Sequence, residues 1–520
     1  MPQQIIVADV VVYDPAITGT RTLYFSTHGY VTSPTDTPAN TFYEGRIQQA
    51  ANISRSCFSD GKTTGRSQIG YGDMVLVNND GGLDALLGYS FVGRPITIKM
   101  GTLADGASTV TSWVTVLKGT MEQAELSWQK VILRVRDRQQ DLAKPLQQVR
   151  YAGTNTLPSG LEGVAGDLKG KPKPLVFGKV FNVAPPQVNT DRRIYQVHAG
   201  NALQSIAAAY DRGAPLTAGA AYTSQTDMET TAPTAGQYRV WNDATAGCFI
   251  RLGSAPTGTV TVDAVQGAAV ANRTVGQLFN QVLMAAGISS GDISSADITA
   301  LDAVAAYETG VYVPYTQDMT PLEILDTLCA SVGAWYATDT SGVFRIGQIA
   351  LPTGTSVGTI TALETLKIER VASRDPGVGV PAWKVKLGYQ RIYNVQDDLT
   401  ASVTDARKSF LASEYRRAES SDATVKTANL TSPELEFDTV LTNETDAAAE
   451  SARRLAIYKV RRDMYEVTIR VDSSLASVLD VGKIVTLQFN RFGMSAGKKF
   501  LIIGLRTNMR TYQFDLTLWG

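Results

Sequence analysis

Apolar and polar positions alternate most regularly near the C-terminus. From Met464 to Val471, Tyr465, Val467, Ile469 and Val471 share one side, with Glu466, Thr468 and Arg470 on the other. Lys483–Phe489 repeats the pattern, setting Val485, Leu487 and Phe489 against Thr486 and Gln488. Phe500–Leu505 is a nearly continuous apolar run, and Thr511–Leu518 alternates again, with Tyr512, Phe514, Leu516 and Leu518 opposite Gln513, Asp515 and Thr517. A period of two puts one side of a strand in a core and leaves the other for water or a partner. Strands of this kind separated by Gly, Ser and Asn loops predict an antiparallel sheet or barrel.

The N-terminal part reads similarly. Residues 4–13, Arg21–Ser26, Ile69–Asn78, Arg94–Gly101, Trp113–Gly119 and Gln129–Arg136 are predicted strands, and residues 1 to about 150 an all-β unit. Gly29–Tyr43 and Gly61–Gly72 read as surface loops. Gly, Pro and Lys dominate 153–174, which reads as an ordered linker feeding a strand over Leu175–Asn182. Residues 190–270 carry short strands and turns, a small β-domain set in a larger frame. The period then changes. Val275, Leu278, Phe279, Val282 and Leu283 have helical spacing, and Ser294–Ala306 predicts a second helix. Thr320, Pro321 and Glu323 form an N-cap, N1 and capping-box set for a third, with Leu322, Leu325, Leu328 and Cys329 facing inward, followed by a hairpin of Ala334–Asp339 and Gly342–Gly347. Leu366–Arg370 and Trp383–Tyr389 are predicted strands, and the polar stretch Gln396–Thr427 reads as long connections. Asn443 caps a last helix running to Arg462, with Asp446 at N3 and Ala448, Ala452 and Leu455 inward.

A chain of 520 residues is too long for one core and implies roughly three to four domains of about 150 residues. With 44% hydrophobic and 19% charged residues it can bury sizeable cores, and 45 glycines suit a turn-rich β architecture. The net charge of −1 gives no overall attraction to nucleic acid or anionic lipid. The N-terminus lacks the basic and apolar regions of a signal peptide, and no window is long and apolar enough for a membrane span, so cytoplasmic folding is expected.

Candidate chemistry is sparse. The three cysteines, Cys57, Cys248 and Cys329, are far apart and show no metal-ligand spacing, so buried free thiols are expected. His28 and His198 are the only two histidines, and neither adjoins a nucleophile motif. Gly166–Lys171 has the spacing GxxxGK followed by Pro172, so it lacks the hydroxyl and the reach of a phosphate loop. Asp73, Asp80 and Asp84 read as turn chemistry, while a hydrolytic carboxylate pair cannot be recognised from spacing. Arg453, Arg454, Lys459, Arg461 and Arg462 cluster near a helix C-terminus, where cations offset the helix dipole. A face toward nucleic acid or an acidic partner is the other reading of that cluster. These readings assign no catalytic, cofactor-binding or metal-binding residue and no cofactor.

Four passages together resemble tail hub proteins of long-tailed bacteriophages. They are the stretch from Lys171 to Val183, the unit Pro321-Leu-Glu-Ile-Leu with Val332-Gly-Ala-Trp-Tyr336 and Gly342-Val-Phe-Arg-Ile-Gly347, the segment Leu479-Asp-Val-Gly-Lys-Ile-Val-Thr-Leu487, and the closing Phe514-Asp-Leu-Thr-Leu-Trp519. The likeness covers most of 160–520. It implies a mainly β, multidomain fold with α+β elements: two tail-tube-like β-barrel domains at 1–175 and 351–520, a small β-domain at 176–270 and a helix–hairpin α/β domain at 271–350. It further implies a structural, non-enzymatic virion protein at the tail tip or baseplate. Such a hub is a homotrimer that joins the tail tube or distal tail protein to a central fibre or spike, and its lumen passes genomic DNA and the tape measure protein. The channel wall is expected to be polar without a basic stripe, and Gly61–Gly72 and Gln396–Thr427 are expected interface loops. A cell-surface carbohydrate-binding protein and a β-rich glycan hydrolase are the alternatives.

Overall fold

The computed structural model describes residues 3–50, 52–59, 63–103, 110, 113–372, 378–508 and 511–520. The fold is mainly β, with several sheets and a smaller set of helices. Its central feature is a 16-stranded sheet built from both ends of the chain.

The C-terminal part of that sheet follows the alternation. Met464–Arg470, Gln513–Trp519 and Lys498–Asn508 lie side by side, all antiparallel, and Ile484–Leu487 pairs with the start of the last. The inward residues Val467, Ile469, Phe500, Phe514, Leu516, Leu518 and Trp519 are each at most 2% exposed. Thr365–Val371 adds an outer strand against Met464–Arg470. The N-terminal part runs Tyr71–Val77, Lys130–Asp137, Val114–Leu126, Pro95–Leu103, Gln3–Asp14 and Gly19–Ser26, again antiparallel throughout. The second half of Lys498–Asn508 pairs with the short strand Ser54–Ser56, which also touches Tyr71, so the two parts form one sheet. Beneath it, residues of both parts share a single apolar core. A small cluster of Ile5, Val7, Tyr43, Val110 and Trp113 covers the opposite face at the N-terminal end.

The strand Val114–Leu126 extends past its expected end at Gly119. Met121–Leu126 is rich in helix formers, but pairing with Lys130–Asp137, through an irregularity beside Leu133, outweighs that propensity.

Leu175–Val183 lies at the middle of the molecule and belongs to two units. It pairs with Val260–Val265 of the small β region and with Gly310–Val313 of the helical region. Gln187–Asn189, Ile194–Ala199, Gly247–Leu252 and Gln237–Asp243 form a second sheet beside it. The helices Val275–Ala285, Ser295–Val304 and Pro321–Ser331 pack with the hairpin Ala334–Thr338/Phe344–Gln348 around a separate core. Thr320 and Glu323 form the expected capping box. The buried face of that helix is Pro321, Ile324, Leu325, Leu328 and Cys329, whereas Leu322 sits only partly buried at its margin.

Two expectations for the C-terminal third are corrected. Gln396–Thr427 is not merely connection, because it contains the helix Asp405–Leu411, the strand Arg416–Ser421 and the short helix Thr424–Ala428. Arg416–Ser421 pairs with Lys384–Tyr389, which also pairs with Glu434–Asp438. Ion pairs hold this three-stranded sheet together: Arg417 with Glu436 and Asp438, Lys386 with Glu434, and Lys384 with Glu419. Lys384–Tyr389 and Glu434–Asp438 also bury Val385, Leu387 and Leu435, whereas Arg416–Ser421 has no apolar alternation to announce it.

The capped helix spans Glu444–Tyr458, so Arg461 and Arg462 lie beyond its end. Its inward residues are Ala447, Glu450, Ser451, Arg454, Leu455 and Tyr458, one position off the expected Ala448 and Ala452. The physical reason is that Glu450 and Arg454, polar by type, are fully paired in the interior.

Candidate functional site

His198 is buried in the strand Ile194–Ala199, where Nδ1 accepts a hydrogen bond from the Val176 amide at 2.9 Å and Nε2 meets Asn201. Burial lowers its pKa to about 4, so the ring is neutral and structural. His28 is exposed, and its Nδ1 lies 2.9 Å from the Thr27 hydroxyl. In the 166–171 turn, Lys171 lies over the Tyr315 ring and within 4.0 Å of Asp167, while Leu168 plugs the local core. Asp80 pairs with Arg46 at 2.5 Å and accepts from the Gly82 amide, and Asp84 accepts from Asn78 at 2.9 Å, both within the turn. Asp73 points from its strand to solvent. Cys57, Cys248 and Cys329 are buried free thiols. Among the described residues no group of three or more His, Cys, Asp and Glu side chains is placed to hold a metal, and no helix is long and apolar enough to cross a membrane.

The basic cluster splits. Arg453 and Arg454 both turn inward onto Glu450, at 2.7 Å each, and Glu450 is 0% exposed. Their remaining donors reach backbone carbonyls: Arg453 bonds Ile349 and Val332, and Arg454 bonds Ala330. Ala330 and Val332 lie at the C-terminal end of the Pro321–Ser331 helix, so the arginines add charged donors to its terminal carbonyls. The pair is therefore a joint between two regions, and neither of the two readings of the cluster describes it. Lys459 pairs with Asp422 at 3.2 Å.

The surface with the most organised polar chemistry is the solvent face of the large sheet. Register fixes its composition. Lys367 stands beside Thr468, and Glu369 beside Glu466; Asp515 stands beside Thr468 and Arg506, and Thr517 beside Glu466 and Gly504. Across the joint, Ser54 and Ser56 stand beside Arg506 and Gly504, then Tyr71 beside Arg136, and Arg136 beside Thr120. A depression of about 470 Å³ lies over the joint, lined by Ser54, Ser56, Lys367, Glu466, Arg506 and Asp515 among others.

Several charges on this face are paired locally. Arg134 pairs with Glu125 at 2.5 Å, Arg136 with Glu122 at 2.9 Å and Lys367 with Glu369 at 3.0 Å, and Thr468 donates to Asp515 at 2.7 Å. Exposed pairs of this kind add little stability, but they prevent a stripe of one sign. On the other side of the same strands, Arg55 is 4% exposed and reaches Asp480 at 3.1 Å and the Thr338 carbonyl at 3.0 Å, pinning the N-terminal strand to the hairpin and the C-terminal part.

Sequence patterning identified the outward residues Glu466, Thr468, Asp515 and Thr517. It missed Ser54, Ser56, Lys367 and Arg506, whose strands lack clear alternation. Of the expected interface loops, Gly61 and Lys62 lie outside the described residues, and the remainder of that loop rests on the helix–hairpin region through Ser67 and Asp326. The 396–427 segment meets the small β region through Arg212 with Asp398 and Arg407 over the Tyr210 ring.

No family model and no curated protein matches the chain. Solved structures similar to it include a 43 kDa tail protein of prophage MuSo2 from Shewanella oneidensis, at 11% identity and a TM-score of 0.40, covering 92% of this chain and 94% of that one. A tail protein from Neisseria meningitidis MC58 is similar at 10% identity and a TM-score of 0.39, covering 92% and 94%. A chain of a native gene transfer agent virion is similar at 13% identity and a TM-score of 0.42, covering 72% and 91%.

Proposed function

We propose that the chain is a structural protein of a phage tail, the hub at the tail tip or baseplate. Three copies form a ring that joins the tail tube or distal tail protein to a central fibre or spike. The observation that carries this reading is the large sheet, in which both ends of the chain supply strands to one wall. One side of the wall seals a shared apolar core, and the other is polar, with Arg134, Arg136 and Lys367 each paired to a neighbouring carboxylate. Such a surface suits the lumen of a conduit for DNA and for the tape measure protein. Phosphates bound to a continuous Lys/Arg stripe hold nucleic acid in place, whereas neutralised arginines let it pass. The segments 1–175 and 351–520 act as the two tube-like domains, and the small β and helix–hairpin regions brace them from outside.

The role needs no active site, because wall, ring and socket are all made by packing. Obligate interfaces of this kind bury above about 2,000 Å². Mass photometry and negative-stain imaging of the purified chain test the reading. Trimeric rings with a central channel are expected, and a stable monomer at all concentrations overturns it.

A further inference from the structure

The large sheet does not close on itself. At one end, Thr365–Val371 pairs, among the described residues, only with Met464–Arg470. Near the other, Gly19–Ser26 is paired along its inner side, but on its outer side it meets another strand only at Phe25 and Ser26. Residues 365–371 and 19–24 therefore each present a row of backbone donors and acceptors with no strand beside them among the described residues. Proteins usually blunt such edges. Here neither edge carries a proline, and apolar side chains lie exposed beside both. Leu363 and Leu366 are 93% and 49% exposed at the first, and Ile17 is 58% exposed in the turn before the second. Lys367, Glu369 and Arg370 discourage indiscriminate pairing and leave the first edge selective.

The two edges are different and complementary in origin. Inside the chain, a strand of the N-terminal part, Ser54–Ser56, already joins a strand of the C-terminal part, Lys498–Asn508. The free edges are the other side of each part. We propose that Thr365–Val371 of one copy adds to Gly19–Tyr24 of a second copy, so that the joint inside the chain alternates with a joint between chains. The register also carries the polar face across. Lys367 and Glu369 lie on the face of Glu466 and Thr468, and that face continues, strand by strand, to Val11, Thr20 and Thr22 at the far edge. The contact is head-to-tail, since unlike edges meet. A heterologous contact of that type closes into a ring when its rotation permits. The proposal rests on the assembly reading above and names the contact that builds it.

Cysteine pairs across the two edges test it in the full chain, whose own cysteines are buried. Four double variants combine T20C or T22C with K367C or E369C, and each is oxidised with diamide and run without reductant. At least one pair is expected to convert most of the chain into covalent multimers, while the four single variants stay at monomer mass. Far-UV circular dichroism checks that each variant is folded. Light scattering on the same samples separates the two ways to fail. Assembled rings in which no pair cross-links overturn the edge assignment and leave the assembly reading standing. A single variant that cross-links as a dimer replaces the head-to-tail contact with a symmetric one and overturns the proposal. A chain that is monomeric at every concentration overturns both.

Discussion

Two joints hold the chain's distant parts together, and they are built from opposite materials. The joint within the large sheet is a backbone ladder, Ser54–Ser56 against Gly504–Arg506, over a shared apolar core. The joint between the C-terminal helix and the helix–hairpin region is ionic, with Glu450 between Arg453 and Arg454 and their donors on the carbonyls of Ala330, Val332 and Ile349. The first kind is tolerant along most of its length, since a ladder uses backbone groups, and its one exacting position is Arg55, which pairs with Asp480. The second is intolerant, since a buried charge with one partner removed costs far more than the intact group contributes. The sheet joint therefore sets how the parts align, and the ionic joint sets which parts meet.

The largest effect comes from removing 514–520. Gln513–Trp519 lies between two strands, so its loss exposes Val467, Leu505 and the core behind them. The truncated chain is expected to lose cooperative unfolding and to form no rings, as measured by thermal melting and electron microscopy. Glu450→Ala comes next. It leaves Arg454, 2% exposed, without its carboxylate, and a cost of about 3–5 kcal/mol is expected in denaturant unfolding. A cost below about 1 kcal/mol would erase the distinction between the joints.

A third effect depends on pH. Asp137 is buried at the end of Lys130–Asp137, accepting from the Gly70 amide at 2.6 Å and the Gln139 amide at 2.9 Å. Burial raises its pKa from 3.8 to about 7. The folded state thus holds a proton that the unfolded chain releases near pH 4. This group's contribution to stability is fully present below that pH and is lost as pH rises through about 7. Asp137→Asn is expected to flatten the decline in melting temperature between pH 5 and 8 relative to the parent protein, and an unchanged slope would show that Asp137 stays ionised throughout. The smallest effect is at the ladder itself. The Thr507 hydroxyl accepts from the Ile53 amide at 3.0 Å, and Thr507→Val is expected to cost about 1 kcal/mol, seen as a modest shift in the unfolding midpoint.

The same contrast explains what the sequence disclosed. Strands such as Met464–Arg470 and Gln513–Trp519 bury one side in apolar core, so hydrophobic alternation reveals both the strand and its outward residues. Arg416–Ser421 is held by ion pairs, and its sequence RRAESS reads as loop. On Glu444–Tyr458 the pattern places Leu455 inward correctly, but Ala448 and Ala452 lie one position off the buried face because Glu450 and Arg454 occupy the interior, which a hydrophobicity pattern assigns to water. Ser54-Arg55-Ser56 carries a single side chain of any size, and that one is a buried arginine. The candidate face was thus legible strand by strand in the C-terminal part, while its continuation into the N-terminal part depends on a pairing between segments remote in sequence.

That remoteness has a consequence in time. The Ile53 amide meets a hydroxyl 454 residues further along the chain. At a synthesis rate of about 5–20 residues per second, the N-terminal strands wait roughly 20 to 90 s on the ribosome before their neighbour exists. Throughout that interval the edge at Ser54–Ser56 is open to any passing strand, including the same segment of a nascent chain on the next ribosome. Short strands and charged side chains blunt exposed edges, so the brevity of Ser54–Ser56 and the charge of Arg55, which make this joint hard to read, also suit an edge left waiting for its partner.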